Sequence, residues 1–196
     1  MVVLRESIGG KPRTDESLEF IGRLKYKGEG GKELQVELAH YAYIGDMHLR
    51  FVFDGPKTMT NATPTDLSRL NLSPDRALNV ALENIRRVYG PARSVPFGNG
   101  LMEVESKSPD LISSYFLDKL FWNELEKTYQ QGIVAVVPKR GGLLYAPASD
   151  LSAVEFLKQK VSYLHKSSER IRVSSGVYLY KSGKWSILQA PVPSQP

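Results

Sequence analysis

Ile133-Val134-Ala135-Val136-Val137-Pro138, Lys139-Arg140-Gly141-Gly142, Leu143-Leu144-Tyr145-Ala146 is the stretch that decides the fold. The first run is almost continuously apolar and β-branched, the next four residues interrupt it, and the apolar character then returns. Strands apolar on both faces predict a hairpin inside a sheet rather than at a wet edge. Downstream, Asp150 is placed to cap a helix. Leu151, Val154, Leu157, Val161 and Leu164 follow at helical spacing and form one apolar stripe. Val177-Tyr178-Leu179-Tyr180 and Trp185-Ser186-Ile187-Leu188 flank a second turn. With Ser182-Gly183 as its two-residue loop, Tyr180 faces Trp185 and Tyr178 faces Ile187. Residues 131–189 therefore read as a hairpin-helix-hairpin, a ββαββ unit.

Working outward, Ser108-Pro109-Asp110 reads as a helix start. The segment after it, with Leu111, Ile112, Tyr115, Phe116, Leu120, Phe121, Trp122 and Leu125, is apolar around more than half its girth. Such breadth predicts contact with more than one layer, or with a partner chain. Met102-Glu103-Val104-Glu105 alternates as a strand should. Ser73-Pro74 opens a helix with stripe Leu78, Ala81, Leu82, Ile85 and Val88, which Gly90-Pro91 ends. Pro64-Thr65-Asp66-Leu67 suggests a short helical turn. Before these, a two-residue turn at Gly45-Asp46 would join Val36–Ile44 to Met47–Phe53. It pairs Ile44 with Met47, Ala42 with Leu49, His40 with Phe51 and Leu38 with Phe53. That side is apolar apart from His40; Tyr41, Tyr43, His48, Arg50 and Asp54 look outward. Leu18–Lys27 could form a first strand.

The expected architecture is α+β, antiparallel β-hairpins packed with three main α-helices. Residues 1–17 read as a flexible arm and 18–189 as one domain, with strands over 18–60, a helical middle over 61–130 and the ββαββ unit over 131–189. Residues 190–196 form a tail. The chain has 196 residues, 41% apolar and 24% charged, ordinary values for a folded globule. No run approaches the ~20 apolar residues of a membrane span, and the early charges at Arg5 and Glu6 do not suit a signal peptide. A cytoplasmic setting is the expectation. The absence of cysteine removes disulfides, thiolate metal sites and a thiol nucleophile.

The net charge of +5 is unevenly distributed. Residues 129–196 carry nine Lys/Arg against three Asp/Glu, whereas the rest of the chain is near balance. The basic character thus belongs to the ββαββ unit, through Lys139, Arg140, Lys158, Lys160, Lys166, Arg170, Arg172, Lys181 and Lys184. It reads as a solvated surface or as a binding face for nucleic acid or an acidic partner. The stretches Gly9-Gly10-Lys11 and Gly28-Glu29-Gly30-Gly31 lack the spacing and following helix of a phosphate loop. No hydrolase, zinc-protease or dinucleotide motif occurs. His40, His48 and His165 are not spaced as ligands on one element, so neither metal nor cofactor is expected. Glu103 and Glu105 are too few to argue for a hard cation.

Several short patches, in chain order, resemble the YtpQ-like family of uncharacterised bacterial proteins. They are Asp54-Gly55-Pro56, Thr65-Asp66-Leu67, Leu72-Ser73, Ala81-Leu82-Glu83-Asn84-Ile85, Val136-Val137-Pro138 with Leu143-Leu144, and Tyr180-Lys181-Ser182-Gly183-Lys184-Trp185. The resemblance spans roughly residues 48–188 and implies a bacterial cytoplasmic domain, with no activity to carry over.

Three function classes follow. A non-catalytic protein-interaction module or homodimer would use the surplus of large apolar residues. Its surface would comprise Tyr41, Tyr43, His48, Arg50, Phe121, Trp122, Tyr178, Tyr180, Lys181, Lys184 and Trp185. A nucleic-acid binder would stack bases on the aromatic ladder beside Lys181 and Lys184. An enzyme would centre on His48 with Asp54 or Tyr43. Asn84 is expected to tie a loop near 54–63 by its amide.

Overall fold

The structure is a computed structural model and describes residues 1–7, 11–27, 33–55 and 57–192. Its strands are β1 (Val2–Glu6), β2 (Glu19–Phe20), β3 (Arg23–Lys27), β4 (Glu33–Glu37), β5 (His40–Ala42), β6 (Met47–Asp54), β7 (Met59–Asn61), β8 (Arg93–Gly98), β9 (Leu101–Glu105), β10 (Ile133–Lys139), β11 (Gly142–Pro147), β12 (Val177–Lys181) and β13 (Lys184–Gln189). The helices are α1 (Pro64–Arg69), α2 (Pro74–Tyr89), α3 (Lys119–Thr128) and α4 (Leu151–Lys166). Among the described residues, 3-10 segments lie at Pro109–Leu117 and Glu169–Ile171. The fold is α+β, with every ladder between strands antiparallel.

The ββαββ unit forms as its pattern dictates. β10 lies between β11 and β12 in a six-stranded sheet of order β13-β12-β10-β11-β9-β8. Val134 and Val136 pack under α4, while Ile133, Ala135 and Val137 face the main core. Both faces are covered, which is why the strand can be apolar throughout. Asp150 caps α4 through the Ala153 amide. The stripe holds at Val154, Leu157 and Val161, whereas Leu151 in the first turn is exposed. Tyr180 pairs Trp185 and Tyr178 pairs Ile187 across a turn whose Ser182 and Gly183 both have positive φ. That is the backbone of a type I′ hairpin. Glu126 of α3 accepts hydrogen bonds from both turn amides.

The apolar segment after Ser108 is central. Pro109–Leu117 winds as a 3-10 helix between the two larger sheets, and residues 111–117 are all buried. From Leu111 to Leu117 its breadth of apolarity is covered by two sheets of this chain, whereas Leu120 further along is exposed. Ser108 does not cap it by side chain. Phe116 stacks on Trp185 at 4.1 Å between ring centroids, and its carbonyl accepts from the indoles of both Trp122 and Trp185.

Several expectations are corrected. Residues 2–6, placed in the flexible arm, are β1: Val2, Val3 and Leu4 are buried, and the strand pairs β6 throughout. Glu16 holds the end of that arm down, accepting from Lys119 Nζ at 2.6 Å and the Trp185 amide at 3.0 Å. The 61–130 region is not only helical; β8 pairs β9 within it. α2 begins at Ser73-Pro74 as expected, but Val88 is exposed. Asn84 accepts from Arg87 instead of tying the 54–63 loop; Tyr89 reaches that loop, donating to Asp54. The glycine stretches at 9–10 and 28–31 fall outside the described residues.

The β5–β6 register is also one residue from the expectation. His40 pairs Arg50, Tyr41 pairs Leu49 and Ala42 pairs His48, so Ile44, Gly45 and Asp46 make a three-residue turn. The Gly45 amide and carbonyl are engaged by Arg13, and the Asp46 carbonyl by Ser7. With those groups committed, the tight turn is displaced. A one-residue slip turns a strand over: Tyr41 and Tyr43 go inside with Leu49 and Phe51, and His40 joins His48 and Arg50. Phe53, expected inside, is half exposed.

Candidate functional site

Most side chains of the surface composed from the sequence lie inside the protein. Tyr41, Tyr43, His48, Trp122, Tyr178, Tyr180 and Trp185 are all buried. Trp122, Tyr180 and Trp185 pack ring on ring with α3 against β12 and β13, and Phe121 covers the Trp122 edge half-buried. Lys181 and Lys184 remain exposed but stand beside an enclosed ladder, so they have no stacking platform. Tyr43 and His48 contribute to the walls of a second cleft over the N-terminal sheet, and Arg50 reaches a strongly basic one.

That cleft, of about 760 Å³, is lined by the cations of Arg5, Arg50, Arg140, Lys166, Arg170 and Arg172. Only two carboxylates, Glu6 and Glu169, join them, and no aromatic side chain does. Arg5 and Arg50 come from the paired strands β1 and β6. Arg140 comes from the β10–β11 turn, whose amide donates to the Ile171 carbonyl at 3.0 Å. Lys166 ends α4, and the 3-10 turn that follows brings in Arg170 and Arg172. A bridge between Lys139 and Arg172 closes this edge. Four of the nine basic residues of the C-terminal third thus converge, joined by two from the N-terminal sheet.

The guanidiniums crowd one another. Burial, with Arg140 and Arg50 nearby, pulls Arg5 down to about 10, and burial with Arg140 lowers Arg50. Arg5 stays charged at neutral pH, and the repulsion among these like charges is stored in the fold. Arg50 is held by His48: its Nε donates to His48 Nε2 at 2.8 Å, and His48 Nδ1 lies 3.2 Å from Ser7 Oγ. An imidazole accepting at Nε2 carries its proton on Nδ1 and donates to Ser7. Burial and then the Arg50 charge push His48 down to about 3, so it is a neutral strut and not a general acid. Neither Tyr43 nor Asp54 bonds to it: Tyr43 donates to Glu16, and Asp54 accepts from Tyr89.

Behind the cleft wall lies a second group that sequence reasoning missed. Glu6 at the end of β1, Asp46 in the β5–β6 turn and His165 in the last turn of α4 each offer a ligand atom, all within 4.8 Å of one another. His165 Nε2 stands 3.0 Å from Glu6 Oε1, and Arg172 Nε 3.3 Å from Glu6 Oε2. Both contacts are close in distance but off-axis for hydrogen bonds. Burial, with Glu6 adding, raises Asp46 to about 6, and burial lowers His165 against the pull of Glu6. Sequence separation hides the trio: the residues lie on three elements with no common period. The only local signal was an acid two residues beyond the apolar run Val2-Val3-Leu4.

No family model, curated protein or solved structure matches the chain.

Proposed function

We propose that the protein is a non-catalytic interaction module that receives an acidic segment of a partner protein in the arginine cleft. The carrying observation is the convergence of six cationic side chains from both halves of the chain on one concavity. Their mutual repulsion costs the free protein free energy, and carboxylates entering the cleft relieve it. Arginine suits the task, since its planar fork pairs carboxylates two oxygens at a time. The absence of aromatic faces among the lining residues favours carboxylates over stacked bases. Membership of the YtpQ-like family and a bacterial cytoplasmic setting belong to the same proposal. No helix among the described residues is long and apolar enough to cross a membrane.

Fluorescence anisotropy of a labelled glutamate-rich peptide tests the reading. Binding should weaken steeply with salt, be lost in Arg50→Ala/Arg140→Ala, and persist in Lys181→Glu/Lys184→Glu. Absence of binding at low salt, or equal loss in both double variants, overturns it. Single-stranded DNA of equal charge that competes far better than the peptide would transfer the cleft to nucleic acid.

A further inference from the structure

Glu6, Asp46 and His165 converge from three separate elements on one small buried volume. Two carboxylates and an imidazole are an ordinary donor set for a divalent transition ion. The 3.0 Å between His165 Nε2 and Glu6 Oε1 is the spacing of two neighbouring ligands on one such ion. A second observation is independent of the clustering. Asp46 is 7% exposed, yet its Oδ2 has no hydrogen-bond partner among the described residues. Buried carboxylate oxygens without a donor are costly and uncommon. On the other side of the carboxylate, the Tyr178 hydroxyl reaches Oδ1 at a long 3.5 Å, and the Ser174 hydroxyl and the residue's own backbone amide also favour the charged form. An ion beside Oδ2 gives that oxygen the partner the protein withholds.

The surroundings fit a supporting role. Arg172 stands by the outer oxygen of Glu6, leaving Oε1 toward His165, and such outer contacts orient ligating carboxylates. With no cysteine in the chain, soft thiolate-seeking ions have no claim on the site. Imidazole argues against calcium and magnesium, which favour all-oxygen shells.

We propose that Glu6, Asp46 and His165 bind one divalent transition ion, of the zinc or manganese class, pinning the N-terminal sheet to the last turn of α4 beside the arginine cleft. The site shares Glu6 with the lining of the cleft, but its three ligands require nothing bound there.

Chelator-treated full-length protein, dialysed against ZnCl2 and separately against MnCl2 at micromolar free ion, provides the test. Elemental analysis should find one equivalent per chain for at least one ion, and melting should move up with it. Asp46→Asn, close to isosteric, and His165→Gln should each lose the equivalent and the melting response while circular dichroism shows them folded. His40→Gln should keep both, which separates this site from the His40–His48 pair, whose ring centroids lie 5.8 Å apart. Metal-free wild-type protein under both conditions overturns the proposal. So does an equivalent retained in a folded Asp46→Asn variant, or one lost with His40.

Discussion

Gly45→Ala probes the place where the two halves of the chain meet. Gly45 has a φ of +68°, and an added Cβ would overlap the hydroxyl of the buried Tyr178 and stand 2.9 Å from its Cζ. The left-handed backbone alone costs a non-glycine residue ~1 kcal/mol. Overpacking a rigid core contributes ~1–3 kcal/mol more, so a loss of about 2–4 kcal/mol in urea unfolding is expected. Tyr178 cannot swing aside without giving up its 2.7 Å hydrogen bond to Ser174. Tyr178→Phe alone should cost ~1 kcal/mol through that bond. In the double variant the hydroxyl overlap is gone, and the two losses should fall short of additivity by ~1 kcal/mol. A loss no larger than the backbone contribution, or strict additivity, would refute the docking of the Gly45 turn on β12.

Three further outcomes follow from the structure. Trp122→Ala empties the ring cluster between α3 and β12 and removes an indole donor shared by two carbonyls, so unfolding should cost ~3–5 kcal/mol less. Lys181 and Lys184 stand directly opposite on β12 and β13, so Lys184→Glu should stabilise by ~0.2–1 kcal/mol in low salt and lose the gain in high salt. His48 has a folded pKa of about 3, below its unfolded value, so the native state refuses the proton. Its neutral form is fully compatible with folding above about pH 6.5, and stability should fall as pH drops from there toward 3. His48→Gln should flatten that slope in urea titrations run at several pH values.

What could be read from the chain was whatever short-range pattern determines. The apolar run at 133–137, the Asp150 and Ser73 caps and the Ser182-Gly183 turn each carry their reason within a few residues. Strand burial, helix starts and the Tyr180–Trp185 pairing are therefore legible in the sequence. The Gly45 turn was not. It carries the same Gly-Asp chemistry, but Arg13 and Ser7 occupy its backbone groups from outside, and that one-residue displacement turns Tyr41 and Tyr43 inward.

The sites escaped sequence reading for a related reason. Hydrophobic period sorts a residue to inside or outside, but it cannot say which inside residues meet. The aromatics that looked surplus fill the space around a 3-10 segment wedged between two sheets. Arg5, Arg50, Arg140 and Arg172, ordinary surface charges one at a time, share a cleft only because β1 pairs β6 beside the β10–β11 turn. Glu6, Asp46 and His165 meet only when that same packing closes. Local propensity fixed the elements; burial and long-range hydrogen bonding, which act between residues far apart in the chain, chose the neighbours and with them the chemistry.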